Sequence, residues 1–282
     1  RLRAARLCGR RLTRIRLFRP WRTSGPRESP LPGSFFLRDN GDMNRRTGQN
    51  TKSGGRQSPR GIFVAKVAEN RAVCLDHFMV SLDIQAFPSS APGQFINIGP
   101  VIGRAGGPLQ PARPLLKRPF SILSREELSG GAARIGLLYR VRGPGTTWLG
   151  TLRPGDVAQV FGPLGQGFRT PDGMRTALLV AGGTGIAPLI YLAAQLKGSR
   201  PHVHVVMFEG VRSKSVLPLR LDLSEPCPEP KRISSDVADI PLVIASDDGT
   251  VGLPGTVVDA AQRWIAANLE TIDAATRRHG EK

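Results

Sequence analysis

After residue 60, the apolar positions fall into two successive patterns. Between Gly61 and Phe161 they form short runs separated by turn residues. Ile62–Val67 and His77–Ile84 read as strands, the second with partial period-two alternation, and Gln94–Ile98, opened by Pro92-Gly93, reads as a third. A Gly/Pro-rich loop spans 99–117. Pro119–Leu123, Ile135–Val141 and Val157–Phe161 continue the series, the last after the turn Pro154-Gly155-Asp156. Thr146–Leu152 is long enough for one or two helical turns. Many short strands with one short helix predict a small antiparallel β-barrel.

The period changes after Asp172. Thr176–Ala181 is a continuous apolar run, as expected of a strand buried on both faces. Gly182-Gly183-Thr184-Gly185 follows at once, and Ile186–Lys197 reads as a helix with Pro188 tolerated in its first turn. Val203–Phe208 and Pro241–Ala245 are further buried strands, and Gly255–Leu269 is a second helix. Strands alternating with helices predict a parallel α/β sheet. The expected fold is thus an antiparallel β-barrel over 61–170 followed by an α/β parallel-sheet nucleotide-binding domain over 171–282. The junction falls near 165–175, and no internal repeat is visible.

Charge refines this picture at one end only. The 282 residues carry a formal net charge of +18. Residues 1–60 contain 16 Lys/Arg against 3 Asp/Glu, whereas the remaining 222 contain 24 against 19. The high basicity therefore belongs to the first 60 residues, expected to be a disordered extension because their composition cannot bury a core. An organellar transit peptide, an RNA-binding arm and translated upstream sequence all fit that stretch, and the last is favoured. The body has no basic stripe with interleaved aromatics, so nucleic acid is not an expected partner. No apolar run approaches the ~20 residues of a membrane span. Cys8, Cys74 and Cys227 are too far apart for a disulfide framework or a local four-cysteine metal site. Cys74 is expected to be a buried small apolar residue.

The strongest local signal is strand, then Gly182-Gly183-Thr184-Gly185-Ile186-Ala187-Pro188, then helix. Glycines let a backbone approach a pyrophosphate closely, and a helix N-terminus supplies unpaired N–H groups. The plain alternative is a tight strand–helix turn with no ligand. A second segment is Arg118-Pro119-Phe120-Ser121-Ile122, in which an Arg can pair bidentately with phosphate and a hydroxyl lies one residue from an aromatic. Alone, it is equally an edge strand with one exposed Arg. A third is Leu138-Tyr139-Arg140-Val141 followed by Gly143-Pro144-Gly145-Thr146-Thr147. Thr146 there offers a hydroxyl to an anion or simply caps the helix. Gly162-Pro163-Leu164-Gly165 reads as a turn closing the barrel.

The order of these pieces, ending in Asp247-Asp248-Gly249 with Gly252 and Gly255, resembles the ferredoxin–NADP reductase superfamily. Within it, residues 61–268 look most like the electron-transfer subunits of NAD-linked, type B dihydroorotate dehydrogenase. The resemblance implies flavin-dependent electron transfer between NAD(H) and the redox centre of a catalytic, FMN-containing partner subunit, in pyrimidine biosynthesis and in the cytoplasm. It implies FAD held by Arg118, Pro119, Phe120 and Ser121, with Ser121 bonded near the reactive flavin nitrogen as the catalytic residue. Leu138, Tyr139 and Arg140 would line the flavin, and Gly145 and Thr146 would bind its pyrophosphate. Gly182, Gly183, Thr184, Gly185, Ile186, Ala187 and Pro188 would receive the nicotinamide nucleotide.

The chain departs from that pattern after its second α/β helix. The family continues into a Cys-Gly-Pro strand and a cysteine cluster for a 2Fe-2S centre, whereas this chain runs to Lys282 without those cysteines. Truncation and a relative that never held the cluster are both open, and no metal ligands are assigned. A stand-alone NAD(P)H:flavin or ferredoxin reductase is the enzymatic alternative. A degenerate, non-catalytic binding module is the other. For NAD against NADP, Arg212, Ser213 and Lys214 could meet a 2′-phosphate, while Glu209 could bind a ribose hydroxyl; NAD follows from the resemblance. His202 and His204 alternate along a strand and read as two surface histidines. Arg125 is expected to be solvated in a turn.

Overall fold

The structure, a computed structural model, describes residues 60–101, 116–219, 231–232 and 240–277. The expectations for the basic extension before Arg60, for most of the loop at 99–117 and for Cys8 and Cys227 lie outside the described residues.

Six strands close a barrel: β1 (Gly61–Cys74), β2 (His77–Gln85), β3 (Phe95–Gly99), β4 (Arg118–Glu127), β5 (Ala132–Arg140) and β6 (Val157–Leu164). Their order around the barrel is β1-β2-β5-β4-β3-β6, every pairing antiparallel. Alternation decides which side chains fill it. Ile122, Ile135, Leu137 and Tyr139 point inward with Leu82, Ile84, Ile96 and Val160. Helix α1 (Pro144–Thr151) follows β5 and buries Leu149 in the same core. Asn70 ties it down: its Nδ2 donates to Leu149 O and Leu152 O, both at 2.9 Å, and its Oδ1 accepts from Tyr139 Oη at 3.0 Å. Gly162-Pro163-Leu164 belongs to β6 and is not the expected turn; the chain turns at Gly165, φ +78°.

The second half is a sheet of β7 (Thr176–Gly182), β8 (His204–Val211), β10 (Pro241–Ser246) and the short β11 (Leu253–Pro254), all parallel, after a two-residue β9 (Lys231–Arg232) that pairs antiparallel with β10. Helices α2 (Ile186–Ser199) and α3 (Val257–Arg277) cover it. Ala177, Leu179, Val205 and Met207 pack with α2, while Val206, Phe208 and Val243 meet Ala260 and Ala261 of α3. The α2-side core also contains Leu123 and Leu138, from the outer faces of β4 and β5. Apolar surface that an isolated barrel would expose is thereby removed from water, at roughly 25 cal/mol per Å². Tyr191 of α2 adds a hydrogen bond, donated to Ser90 O at 2.8 Å.

Two side chains differ from expectation. Arg125 lies within β4, and its guanidinium, 11% exposed, donates to Phe87 O and Pro88 O and pairs with Glu127. The loop carbonyls around Phe87 thus take it out of solvent. Cys74, at the end of β1, is half-buried rather than a core residue, and that burial pushes its thiol up. His202 and His204 are both exposed.

Candidate flavin and nucleotide sites

The first site lies where β4 meets α1. Arg118 opens β4 and is exposed. Among the described residues, its Nη1 donates to the nearby carbonyls of Leu116 (3.2 Å) and Lys117 (3.4 Å). Its stem passes over Gly145, where an added Cβ would lie 3.0 Å from Arg118 Cγ and 3.3 Å from Nε. A guanidinium is thus laid on the first turn of α1, at the positive end of the helix dipole. Pro144 has no N–H and Thr147 N–H donates to Gly143 O at 2.9 Å. The N–H groups of Gly145 and Thr146 have no acceptor within the helix. Two donors and a cation converging without a carboxylate fit an anion such as a pyrophosphate.

The Thr146 hydroxyl is otherwise engaged. It accepts from Arg142 N (2.9 Å) and Gly143 N (3.2 Å) and donates to Gly143 O (3.0 Å). It is the cap that closes the turn, so the residue has its N–H left for a ligand. Ser121 shares the outer face of β4 with Leu123; its half-buried hydroxyl bonds to no described residue. Pro119 is exposed beside it. Phe120, Leu138 and Tyr139 are 9%, 4% and 2% exposed, so their side chains serve the cores. Tyr139 stacks on Phe78 and meets Phe120 edge-on, and burial pushes its phenol well above the usual range.

The second site is at the carboxyl ends of β7, β8 and β10. Gly183–Gly185 form a 3-10 turn from which α2 starts, with Ile186 N–H donating back to Gly183 O and Thr184 O. Gly183 sits at φ +55°, left-handed backbone that a Cβ disfavours. Ile186 and Ala187 are buried beneath and Pro188 is half-buried, so the surface presented by this turn is glycine backbone. A cavity of about 330 Å³ opens there, walled by Gly182, Gly183, Gly210 and Asp247 from the sheet and by His77 and Arg140 from the barrel. Arg140, which the resemblance gave to the flavin, stands on the cavity that Gly182 and Gly183 line.

Around this cavity the loops brace themselves. Ser246, fully buried, donates to Val251 O and accepts from Val251 N. Asp248 accepts from the N–H and hydroxyl of Thr250, which hold its carboxyl below the usual range. Thr256 caps α3, accepting from Asp259 N and donating to Asp259 Oδ2. Glu209 is 0% exposed and does not line the cavity, contrary to the expectation that it meets a ribose. It lies between Ala181 and Ile244 in the sheet, and among the described residues only the Gly183 amide approaches its carboxylate, short of good hydrogen-bond geometry. Burial pushes it up to about 9, with the Gly183 backbone amide pulling the other way. Sequence reasoning missed His77 and Gly210. Gly210 left a signal, a glycine inside an apolar strand; a Cβ there would lie 2.8 Å from Val257 Cβ, so it admits the start of α3.

A six-stranded antiparallel barrel joined to a parallel α/β sheet is a ferredoxin reductase-like fold. Two solved structures share the fold. One is the cytochrome P450 reductase GcoB of Amycolatopsis, with TM-score 0.55 and 23% identity over 77% of this chain and 62% of that one. The other is the ferredoxin reductase in carbazole 1,9a-dioxygenase, with TM-score 0.57 and 22% identity over 76% and 59%. No protein-family model matches the chain. Among curated proteins it is 33% identical over 206 residues to the electron transfer subunit of dihydroorotate dehydrogenase B (NAD(+)) of Desulforamulus reducens, covering 72% of this chain and 69% of that protein. The subunit of the same name from Geobacillus thermodenitrificans is 34% identical over 175 residues, 61% of this chain and 58% of that one. The chain belongs to the family of dihydroorotate dehydrogenase B electron-transfer subunits.

Proposed function

We propose that this chain binds FAD on the β4–α1 face and a nicotinamide nucleotide at the carboxyl ends of β7, β8 and β10. It would pass electrons between NAD(H) and the redox centre of a catalytic, FMN-containing dihydroorotate dehydrogenase subunit. Residues 61–170 would be the flavin half and 171–282 the nucleotide half, with the complex in the cytoplasm. No described helix is long and apolar enough to cross a membrane. The observation that carries the reading is the Arg118 guanidinium laid across Gly145 at the start of α1. A cation at a helix N-terminus is unfavourable unless an anion lies between them.

In this reading Arg118 and the Gly145 and Thr146 amides hold the flavin pyrophosphate. Ser121 offers its hydroxyl to the flavin ring, and Pro119 borders it. Phe120, Leu138 and Tyr139 fix the strands behind it. Bound FAD would supply the two-electron chemistry that links the nicotinamide to the partner. The glycine turn before α2 lets the nucleotide backbone approach closely. The 282 residues hold three cysteines, Cys8, Cys74 and Cys227, fewer than the four thiolates that a 2Fe-2S centre takes. The test is the visible spectrum of purified protein after incubation with FAD and desalting, then co-purification with a dihydroorotate dehydrogenase catalytic subunit. Retained flavin and a stoichiometric complex are expected; protein that retains no flavin overturns the reading.

A further inference from the structure

We propose that His77 and Arg140, two barrel residues, form the wall that binds the ribose-phosphate portion of the nicotinamide nucleotide. This rests on the reading of the sheet ends as the nucleotide site. His77 opens β2 and Arg140 ends β5, and the two are directly paired in register. Paired residues of an antiparallel ladder project to the same face. That is the face on which Leu138 enters the α2-side core, so the pair is aimed at the sheet and not into the barrel.

The chemistry of each side chain is set by its neighbours. His77 is 2% exposed, and its Nδ1 lies 2.7 Å from Leu75 O. A carbonyl only accepts, so Nδ1 carries the hydrogen and Nε2 is left as an acceptor with no described partner. Of the two ring nitrogens it is the one free to serve the cavity. An acceptor there suits a ribose hydroxyl. Arg140 is 24% exposed, its Nε is buried with no partner among the described residues, and the one described carboxylate it pairs with, Asp76, is 3.8 Å away and itself half in solvent. The part of the guanidinium left exposed at the cavity, with its carboxylate so distant, is completed by a phosphate oxygen. Gly182, Gly183 and Gly210 line the same cavity and bring no side chain of their own to obstruct a phosphate ester.

A pyrophosphate beside a ribose occurs in FAD and in NAD(H) alike. The nicotinamide nucleotide is the assigned occupant because the other walls are the ends of β7, β8 and β10, while Arg118 and α1 do not line this cavity. The experiment titrates FAD-incubated full-length chain with NAD+ by calorimetry and reads the FAD-to-protein ratio separately. Arg140→Met is expected to weaken NAD+ about 10- to 100-fold, and Arg140→Lys to restore part of the loss. His77→Phe is expected to weaken it about fivefold, and His77→Gln, whose amide oxygen can stand in for Nε2, less. The FAD ratio should stay at the wild-type value throughout. Wild-type NAD+ affinity in Arg140→Met overturns the proposal, as does a fall in FAD ratio with NAD+ affinity kept, which would give the wall to the flavin. Wild-type protein that binds no NAD+ overturns the nucleotide-site reading itself. Melting curves identify any variant that has lost its fold, and the Lys and Gln variants then decide.

Discussion

The N-termini of α1 and α2 both face a proposed ligand, yet they are built in opposite ways. At α1 the work is done by side chains: Thr146 closes the turn with its hydroxyl, and Arg118 supplies the charge. At α2 no side chain caps the turn, Ile186 and Ala187 are buried, and the exposed element is the Gly182–Gly185 backbone over a buried Glu209. The first is an electrostatic cradle and the second a steric one. Substitutions should therefore act on charge and affinity at α1, and on backbone conformation and burial at α2.

The largest effect is expected beneath α2. Glu209, pushed up from 4.5 to about 9, keeps a proton in the folded chain that the unfolded chain releases. Its contribution is complete below the unfolded value and is lost as pH rises toward the folded one. Glu209→Gln should remove this dependence and be more stable than wild type by on the order of 3 kcal/mol at pH 7. The gap should widen by about 1.4 kcal/mol per pH unit between pH 5 and 8. Urea unfolding across that range measures it, and parallel profiles would mean the carboxyl is ionised in the fold.

At α1, Arg118→Ala should lower FAD affinity by one to two orders of magnitude, about 1.5–3 kcal/mol, and Lys should rescue it in part. Arg153, an exposed residue beyond α1, is the control for FAD titrations. Arg125 cannot serve, because its bonds to Phe87 O and Pro88 O make it structural. Equal affinities for the two alanine variants would reduce Arg118 to a surface charge.

The backbone character of the α2 turn is probed by two alanines. Gly183→Ala forces a Cβ into φ +55° and should cost about 1–2 kcal/mol of stability. Gly185→Ala, at φ −63°, should be neutral. Equal melting temperatures would show that the turn relaxes. A modest effect belongs to Thr146→Val, which removes the cap at about 1 kcal/mol. It should leave FAD affinity within about threefold, because the amide is the group offered to the ligand. A loss as large as that of Arg118→Ala would place the hydroxyl on the flavin instead.

Much of the scaffold was legible because its signals are local. Short alternating runs fixed the six barrel strands, and continuous apolar runs followed by glycine marked the parallel sheet. Strand β8 extended three residues past the expected Phe208, which carried Glu209 into the interior. An acid after an apolar run reads as a strand end, and only the neighbouring strands β7 and β10 show that it is covered. Arg125 misled in the same way: a charged residue reads as exposed until the carbonyls that bury it are in place.

The sequence by itself determined the two halves, the glycine turn before α2 and the Arg-Pro-Phe-Ser strand, since each follows from residue type and spacing within about ten positions. Only the tertiary structure decided what those motifs face. It laid Arg118 across α1, turned the Thr146 hydroxyl into a cap, and buried Leu138 and Tyr139. It also brought His77 and Arg140 to the cavity at Gly182 and Gly210, residues 105 and 70 positions away respectively. Such meetings depend on barrel closure and on a core shared by β4, β5 and α2. Neither leaves a periodic trace in the chain, because contacts between distant segments are set by packing rather than by local propensity.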